Sequence, residues 1–366
     1  MKVKPSNKIC HCSILHKLDD SRIFYKECIS LAKVGYNVTY IAKPAVNKQI
    51  DEYSYQGVNL QKLTSNNRLY NNFYLFMTIL KQRMKVVHFH DPELIVMGLF
   101  LRMLGKKVIY DVHENLRQDI LHKMWVRPVL RVLLSKVAVF LELMASFFFS
   151  GIVSATPTIA KNFSNKNNYV IRNLPPLNNR EVLVEPKRKQ NVIIYIGTLS
   201  EARGIKELIA AAEHLVGVAE LWLLGGWNNE VFKLECEKMV GFKNTNYIGM
   251  VNHEEVTKIL REATIGLCTL HPLDTFKDSY PIKVFEYMQN GLPVLMSNFE
   301  MWQELFGDLC EYTDPMNPIQ MAEQIKSMLS SPGRLLEMSG KGKVVINEQF
   351  NWDSESRSLE ELYSKI

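Results

Sequence analysis

The alternation of apolar strands with helical stretches constrains this chain more than any other feature. "ISLAKVGYNVTYIAK" reads as a helix end, a glycine turn and a strand. "KVVHFHDPELIVMGLFLRMLGKKVIYDVHEN" reads as strand, loop, helix, strand, loop, and "SGIVSATPTIAKNF" and "NNYVIRNLPP" continue the pattern. Strands separated by helical segments imply parallel, doubly wound α/β sheets. The pattern restarts at "NVIIYIGTLSEARGIKELIAAAEHL" after a Pro-rich, polar stretch, "NLPPLNNREVLVEPKRKQN", which has linker composition. With 366 residues there is chain enough for two cores. The expected organisation is a Rossmann-like domain over 1–175, a linker over 176–190 and a second Rossmann-like domain over 191–345. The two are expected to face a cleft between their strand C-terminal edges. No G-x-G-x-x-G run follows either first strand, which argues against a standard dinucleotide site.

Charge divides along the same boundary. Residues 1–180 hold 26 Lys and Arg against 11 Asp and Glu, a balance of +15; the rest hold 18 against 27, a balance of −9. Such asymmetry points the first half toward a polyanion or an anionic membrane. No nucleic-acid module is recognisable, so nucleic acid is not an expected partner. The polar, basic N-terminus lacks an apolar signal core, and a cytoplasmic location is expected. Cys10 and Cys12 flank His11 on the first strand, but no second pair with zinc-ligand spacing follows, so the cysteines read as reduced structural thiols.

Residues 121–150, "LHKMWVRPVLRVLLSKVAVFLELMASFFFS", break the alternation. The run is apolar but carries His122, Lys123, Arg127, Arg131 and Lys136, and Lys136 and Glu142 interrupt it as a membrane span. Two readings stay open: a long helix packed on the first domain, or a basic amphipathic surface resting on anionic lipid.

In doubly wound sheets ligands bind just beyond the strand C-termini. Those loops hold "HKLDDSR" (His16 to Arg22), His90 and Asp91, "DVHEN" (Asp111 to Asn115), "GTLSEARG" (Gly197 to Gly204), Gly225-Gly226, Gly249 to Val251, and Asp278 to Lys283. Gly197 at a strand end, with Arg203-Gly204 leading into a helix, suits a phosphate. "DSYPIKVFEYMQNGLP" offers a second cradle: Ser279 and Pro281 signal a helix start and Asn290-Gly291 its end. Lys283 in the first turn is unfavourable for the helix dipole and invites an anion. The plain alternative is an i,i+3 pair between Lys283 and Glu286, worth ~0.2–0.5 kcal/mol.

Taken together, Arg203 and the Asp278–Pro293 stretch resemble the retaining GT-B glycosyltransferases of family 4, the glycosyl transferases group 1. "DSRIFYKECISLAKVGYNVTYIA", "VIYDVHEN", "YIGTLSEARGIKEL" and "PIKVFEYMQNGLPVLMSN" carry the resemblance, and "FNWDSESRSLEELYSKI" is similar to the family's final helix. The resemblance implies two facing Rossmann-like domains, with the helical segment 346–366 crossing back to the N-domain. It implies a nucleoside-diphosphate sugar as donor and a hydroxyl acceptor. Glu286 matches the acid that accepts hydrogen bonds from the ribose, and Asp278 the acid near the donor sugar, one methylene shorter than the usual Glu. Arg203 and Lys283 match the basic pair that clamps the diphosphate. Gly197, Thr198, Ser279, Tyr280, Pro281 and Ile282 fall in the donor loops, and Gly249, Met250 and Val251 in the loop that meets the base. Thr198 stands where many relatives place another Arg. His113 looks like the histidine that projects toward the transferred sugar. Acceptor-side candidates are Asp20 and Arg22, in place of the family's glycine-rich loop, with Asp91 and Glu114.

Transfer with retention, no metal and no cofactor is the expected chemistry, since cations and helix N-termini can stabilise the leaving diphosphate. The basic, apolar segment 121–150 fits a lipid-linked acceptor at the inner face of a membrane, as in polysaccharide or glycolipid assembly. Two alternatives stand beside it: a nucleotide-sugar epimerase, and a non-catalytic subunit that recruits a partner to the membrane.

Overall fold

The computed structural model describes residues 8–45, 54–122, 126–177, 191–251 and 253–366. Residues 178–190 of the expected linker, and Lys123, lie outside the described residues. The chain divides into two compact units: Met1–Asn173 with Trp352–Ile366, and Leu174–Asn351.

In the first unit the strands are β1 (Lys8–Lys17), β2 (Asn37–Lys43), β3 (Ser54–Tyr55), β4 (Val58–Lys62), β5 (Val86–Phe89), β6 (Lys107–Val112), β7 (Gly151–Ser154) and β8 (Asn168–Val170). They form one sheet in the order β3-β4-β2-β1-β5-β6-β7-β8, parallel apart from the β3–β4 pair. Among the described residues the helices α1 (Ile29–Lys33), α2 (Arg68–Lys81), α3 (Ile95–Met103), α4 (Leu116–His122), α5 (Pro128–Phe148) and α6 (Pro157–Ala160) accompany them. A π-helical turn, Ile23–Cys28, precedes α1. The period-2 alternation of β1 divides its side chains between the two faces. Cys10, Cys12 and Ile14 join a core with α2, α3 and α5, while Ile9 joins the core on the opposite face. All six cysteines are buried free thiols.

The second unit repeats the plan. Its strands β9 (Val192–Ile196), β10 (Glu220–Leu224), β11 (Thr245–Gly249), β12 (Ile265–Cys268), β13 (Val294–Ser297) and β14 (Glu311–Thr313) form a parallel sheet in the order β11-β10-β9-β12-β13-β14. Helices α7 (Ile205–Glu213), α8 (Glu230–Glu237), α9 (His253–Glu262), α10 (Asp274–Lys277), α11 (Ile282–Gln289), α12 (Glu300–Phe306), α13 (Pro318–Leu329) and α14 (Pro332–Glu348) accompany it. Both sheets are thus those that the strand–helix alternation implied. α11 ends as its sequence predicts. Leu292 N–H donates to Tyr287 O and Gly291 N–H to Met288 O, with Gly291 at φ +68°, a left-handed stop that satisfies the last carbonyls.

The last helix, α15 (Trp352–Lys365), belongs to the first unit. Trp352, Leu359, Leu362 and Tyr363 pack into the core that holds Ile9, Val38, Ile109 and Val153. Trp352 Nε1 donates to Ser30 Oγ at 2.8 Å, and the Arg172 guanidinium pairs with Glu355 at 2.6 Å. Leu362 sits so close to Gly151 that a Cβ there would meet its Cδ1 at 2.7 Å. Removing that fully buried side chain with Leu362→Ala is expected to cost about 2–5 kcal/mol. Calorimetry should show the first unit's transition moving down while ligand-free unfolding of the second unit stays put. An unshifted first transition would refute α15 as an integral part of that core.

Candidate functional site

In the second unit three strands end on glycines: Gly197 after β9, Gly225 after β10 and Gly249 closing β11, with φ of +133°, +144° and +85°. Gly197 N–H donates to Leu224 O and Gly225 N–H to Gly249 O, which stacks the three strand ends on one another. At Gly225 a Cβ would lie 2.0 Å from Gly197 O, so only glycine permits the approach. Beyond β9 the chain makes a single 3₁₀ turn, Glu201–Arg203, and enters α7 through Gly204 at φ +71°. A Cβ at Gly204 would lie 2.1 Å from Thr269 O, which seats the Arg203 turn against the end of β12. The Arg203 guanidinium carbon lies 5.8 Å from the centre of the Phe276 ring.

α11 is fixed by Tyr287. Its hydroxyl accepts from Ile196 N–H at 2.9 Å and donates to Leu267 O at 3.2 Å, and its ring lies against Gly266, where a Cβ would be 2.6 Å away. Trp302 Nε1 donates to Ser279 O at 2.8 Å and ties down the loop ahead of the helix. The Lys283 ammonium therefore sits under the β9 loop, 3.8 Å from the centre of the Tyr195 ring and 3.3 Å from where a Gly197 Cβ would be. Its Nζ is buried and has no hydrogen-bond partner among the described residues. The Lys283–Glu286 surface pair offered by the sequence is thus not formed, because the lysine folds back onto the β9 end. Burial pushes the Cys268 thiol on β12 up to about 11, while Lys283 and Arg203 both pull it down. Two cations therefore converge on the end of one strand.

Glu286 stands one turn after Lys283, half-buried, and Asp278 is exposed just after α10. Ser279 Oγ donates to Phe276 O at 2.9 Å and closes a turn, and Pro281 precedes the first helical residue, Ile282. Tyr280 is half-buried, Met250 is 82% exposed, and Val251 follows it. Thr198 accepts a hydrogen bond from Tyr195 OH through its carbonyl. Sequence reasoning missed Tyr195, Tyr287 and Trp302, aromatics that hold the loops; nothing local distinguishes them from core residues.

In the first unit a buried polar network lies at the ends of β1, β5 and β6. Asp111 accepts from Arg22 Nη2 at 3.0 Å, and its Oδ2 pairs with His90 Nδ1 at 3.1 Å and His113 Nε2 at 2.9 Å. Arg22 also donates to Ile171 O and pairs with Glu27 at 3.0 Å. Arg22 was an acceptor-side candidate; it is buried and fully engaged, so it stands behind this site and meets no acceptor. His11, His88 and Tyr363 of α15 continue the network, with Tyr363 OH 2.9 Å from His88 Nδ1 and 3.0 Å from His11 Nε2. Burial lowers the three histidines His11, His88 and His90. Burial and the neighbouring Asp111 push the Glu27 carboxyl well up. Asp111 goes the opposite way: burial raises it, but Arg22 and His113 outweigh that and hold it well below the usual carboxylate range.

Glu27, His88, His90 and Asp111 can each offer an atom within 4.8 Å of the others, a donor set that suits a metal. The Arg22 guanidinium, however, already lies 3.0 Å from an oxygen of each carboxylate, so the cluster is balanced as an ion pair with neutral histidines.

Asp91 is a loop anchor. Its Oδ2 accepts from Ile14 N–H at 2.6 Å and Leu15 N–H at 3.4 Å. Asp20 caps the π-turn through Ile23 N–H and Arg22 N–H at 2.8 and 2.9 Å, and its Oδ2 lies 3.0 Å from His16 Nδ1. Burial raises the Asp20 carboxyl, yet those bonds win and hold it well below its ordinary value. The same contact raises His16 above its ordinary 6.5, against burial. Burial and Asp119 both raise Glu114. His16, Asp91, His113 and Glu114 line a cavity of about 620 Å³ whose far wall is Leu134, Val137 and Leu141 of α5. Asp20 and Arg22 are not among its walls.

Residues 178–344 match the family described as "Glycosyl transferases group 1". No curated protein is significantly similar in sequence. Solved structures resemble the chain over almost its whole length. The sucrose-phosphate synthase tll1590 of Thermosynechococcus elongatus shares 14% identity at a TM-score of 0.72, over 98% of both chains. Anabaena Alr3699/HepE in complex with UDP shares 14% at 0.75, over 98% of this chain and 100% of that one. A glycosyltransferase from Rickettsia africae shares 12% at 0.74, over 98% of both. The chain therefore has the GT-B fold of these proteins, and within it residues 178–344 resemble the glycosyl transferases group 1.

Proposed function

We propose that this protein transfers a sugar from a nucleoside-diphosphate sugar to a hydroxyl of a lipid-linked acceptor, with retention of anomeric configuration. The observation that carries it is Lys283: a buried ammonium without a hydrogen-bond partner among the described residues, beside Arg203 and three stacked glycine turns, is a site waiting for an anion. Glycosyl transfer breaks the bond between the anomeric carbon and a phosphate oxygen, and the diphosphate leaves with the electron pair. Arg203 and Lys283 are aimed at that developing charge, and fixed cations in a partly dry site stabilise it without reorganising. The first amides of α11 and the Ser279–Ile282 loop add donors on the same side. Glu286 holds the ribose and Asp278 stands by the sugar, while Gly249 to Val251 meets the base through its backbone. With two cations at the phosphates the donor site asks for no metal and no cofactor. The acceptor hydroxyl bonds to the anomeric carbon and its proton passes to the leaving phosphate. The neighbour solved with UDP makes UDP the first nucleotide to test.

The acceptor side and the membrane are read from α5. Ser135, Ala138, Ala145 and Ser146 are its buried residues, whereas Val129 is 84% exposed, Leu143 60% and Phe147 80%. Large apolar residues outward and small ones inward reverse the order of a soluble amphipathic helix. Arg127, Arg131 and Lys136 supply the cations that anionic headgroups attract. No helix among the described residues is long and apolar enough to cross a membrane. These features support a peripheral position on the inner face of the cell membrane, and with it a part in polysaccharide or glycolipid synthesis. His113, held by Asp111, faces the acceptor cavity as the ligand of the transferred sugar, with Asp91 and Glu114 around it.

Lys283→Ala and Glu286→Ala are each expected to keep the fold, by circular dichroism, and to lower turnover of the donor about 10²–10³-fold. Wild-type turnover in both variants would end the donor-site assignment. A second expectation concerns His16. Its stabilising contact with Asp20 is complete below pH 6.5 and is lost as the pH rises through the higher folded value; Asp20 contributes above pH 3.8 and loses its share in acid. Asp20→Asn should bring the His16 titration, followed by NMR, down to 6.5 or below; an unmoved midpoint would break the link.

A further inference from the structure

We propose that a slot between α3 and α5 binds a single acyl chain with an anionic headgroup, at a site separate from the acceptor cavity. Gly98 lets α3 settle onto the sheet side, where a Cβ would meet Phe89 at 2.8 Å and Phe149 at 2.9 Å. On the outer side the two helices leave a cavity of about 430 Å³, lined by Leu99, Phe100, Met103, Leu141, Met144 and Phe148. The volume lies within the range of small-ligand sites, and apolar walls of this kind are costly to leave to water. Arg102 is the one charged side chain on the walls. Its guanidinium donates to two carbonyls, Phe148 O at 2.9 Å and Lys106 O at 3.4 Å, and no carboxylate pairs with it among the described residues. Lys106 and Lys107 follow directly after the helix.

An apolar slot edged by a cation without a counter-charge matches one ligand chemistry: a hydrocarbon chain in the slot and a phosphate or carboxylate on Arg102. The slot adjoins the exposed apolar face of α5, because Phe148 on its wall is 44% exposed and follows Phe147 at 80%. A lipid seated here pins α3 and α5 at the membrane surface. The site thus takes the membrane part of the proposed function to particular residues, and it can fail while that part stands.

The test uses the full chain and dodecyl phosphate below its micellar concentration, with dodecyl maltoside and inorganic phosphate as controls, read by calorimetry. Dodecyl phosphate is expected to bind at about one per chain and neither control to match it. Met144→Trp, which fills the slot, and Arg102→Gln, which removes the cation, should each weaken binding at least tenfold, while UDP binding stays unchanged. Inorganic phosphate binding as tightly as dodecyl phosphate, or both variants binding at wild-type strength, would overturn the site. So would a chain that is dimeric through α5 in solution and binds no dodecyl phosphate. Sedimentation with vesicles of anionic against neutral phospholipid separates a membrane lipid from a free fatty acid as the source. Anionic vesicle binding that survives in a chain indifferent to dodecyl phosphate would leave the membrane position and remove the slot.

Discussion

One phenol hydroxyl holds the second unit's site together. Tyr287 OH bridges Ile196 N–H at the end of β9 and Leu267 O on β12, and its ring fills the space that Gly266 leaves open. The β9–β12 ladder stops at the Ile194–Gly266 pair, so without the phenol the part-buried Ile196 amide would lose its partner on that side, at a cost of about 1–3 kcal/mol. The same contact sets the rotation of α11 about its axis. Lys283 lies one turn before Tyr287, on the side of the helix that meets the β9 loop, and so its ammonium ends over Tyr195 and under Gly197. A cation placed by a core contact of this kind is already in position before any anion arrives, which is what electrostatic stabilisation of a leaving group requires.

The first unit achieves order at the corresponding strand ends by a different means. Parallel strands bury both faces, and here the buried ends carry Arg22, Glu27, His90 and Asp111. Charges removed from water need partners, and Arg22 with Asp111 supplies the essential pair. Asp111 also holds His113, which with His90 reaches the cavity wall. Tyr363 closes the network from α15, so the terminal helix and the polar cluster are parts of one construction. Loosening α15 would withdraw a hydrogen-bond partner from His11 and His88 together.

What the sequence made legible follows from the range of the signals. Period and punctuation revealed both parallel sheets, the start of α11 after Pro281 and its stop at Gly291. Local chemistry singled out Arg203 and Lys283, because glycine loops and a lysine at a helix start are short-range patterns. Partnership across the fold was not legible. Arg22 looks like an acceptor ligand, yet it faces Asp111, 89 positions away, and Asp91, though on the cavity wall, also holds the amide of Ile14, 77 positions away. Tyr287 read as one more apolar residue of a helix, and nothing within its own segment announces that its hydroxyl joins two strands.

The reversed face of α5 is the strongest departure from what a water-soluble sheet protein needs. A helix that merely covered the sheet would turn Leu133, Phe140 and Leu143 inward, where each is worth roughly 1.5–3 kcal/mol of burial. Instead the sheet receives Ser135, Ala138 and Ala145, which allow close approach but contribute little apolar area. Three arrangements satisfy such a helix: a second protein, a second copy, or lipid. Of these, lipid alone also accounts for Arg102, which has no carboxylate partner among the described residues, and for the +15 balance of the first 180 residues, since a protein partner would have to bring a matching acidic surface of its own. On the membrane position proposed above, the apolar area and the positive charge are two halves of one adaptation, and the outward turn of the helix faces lipid rather than water.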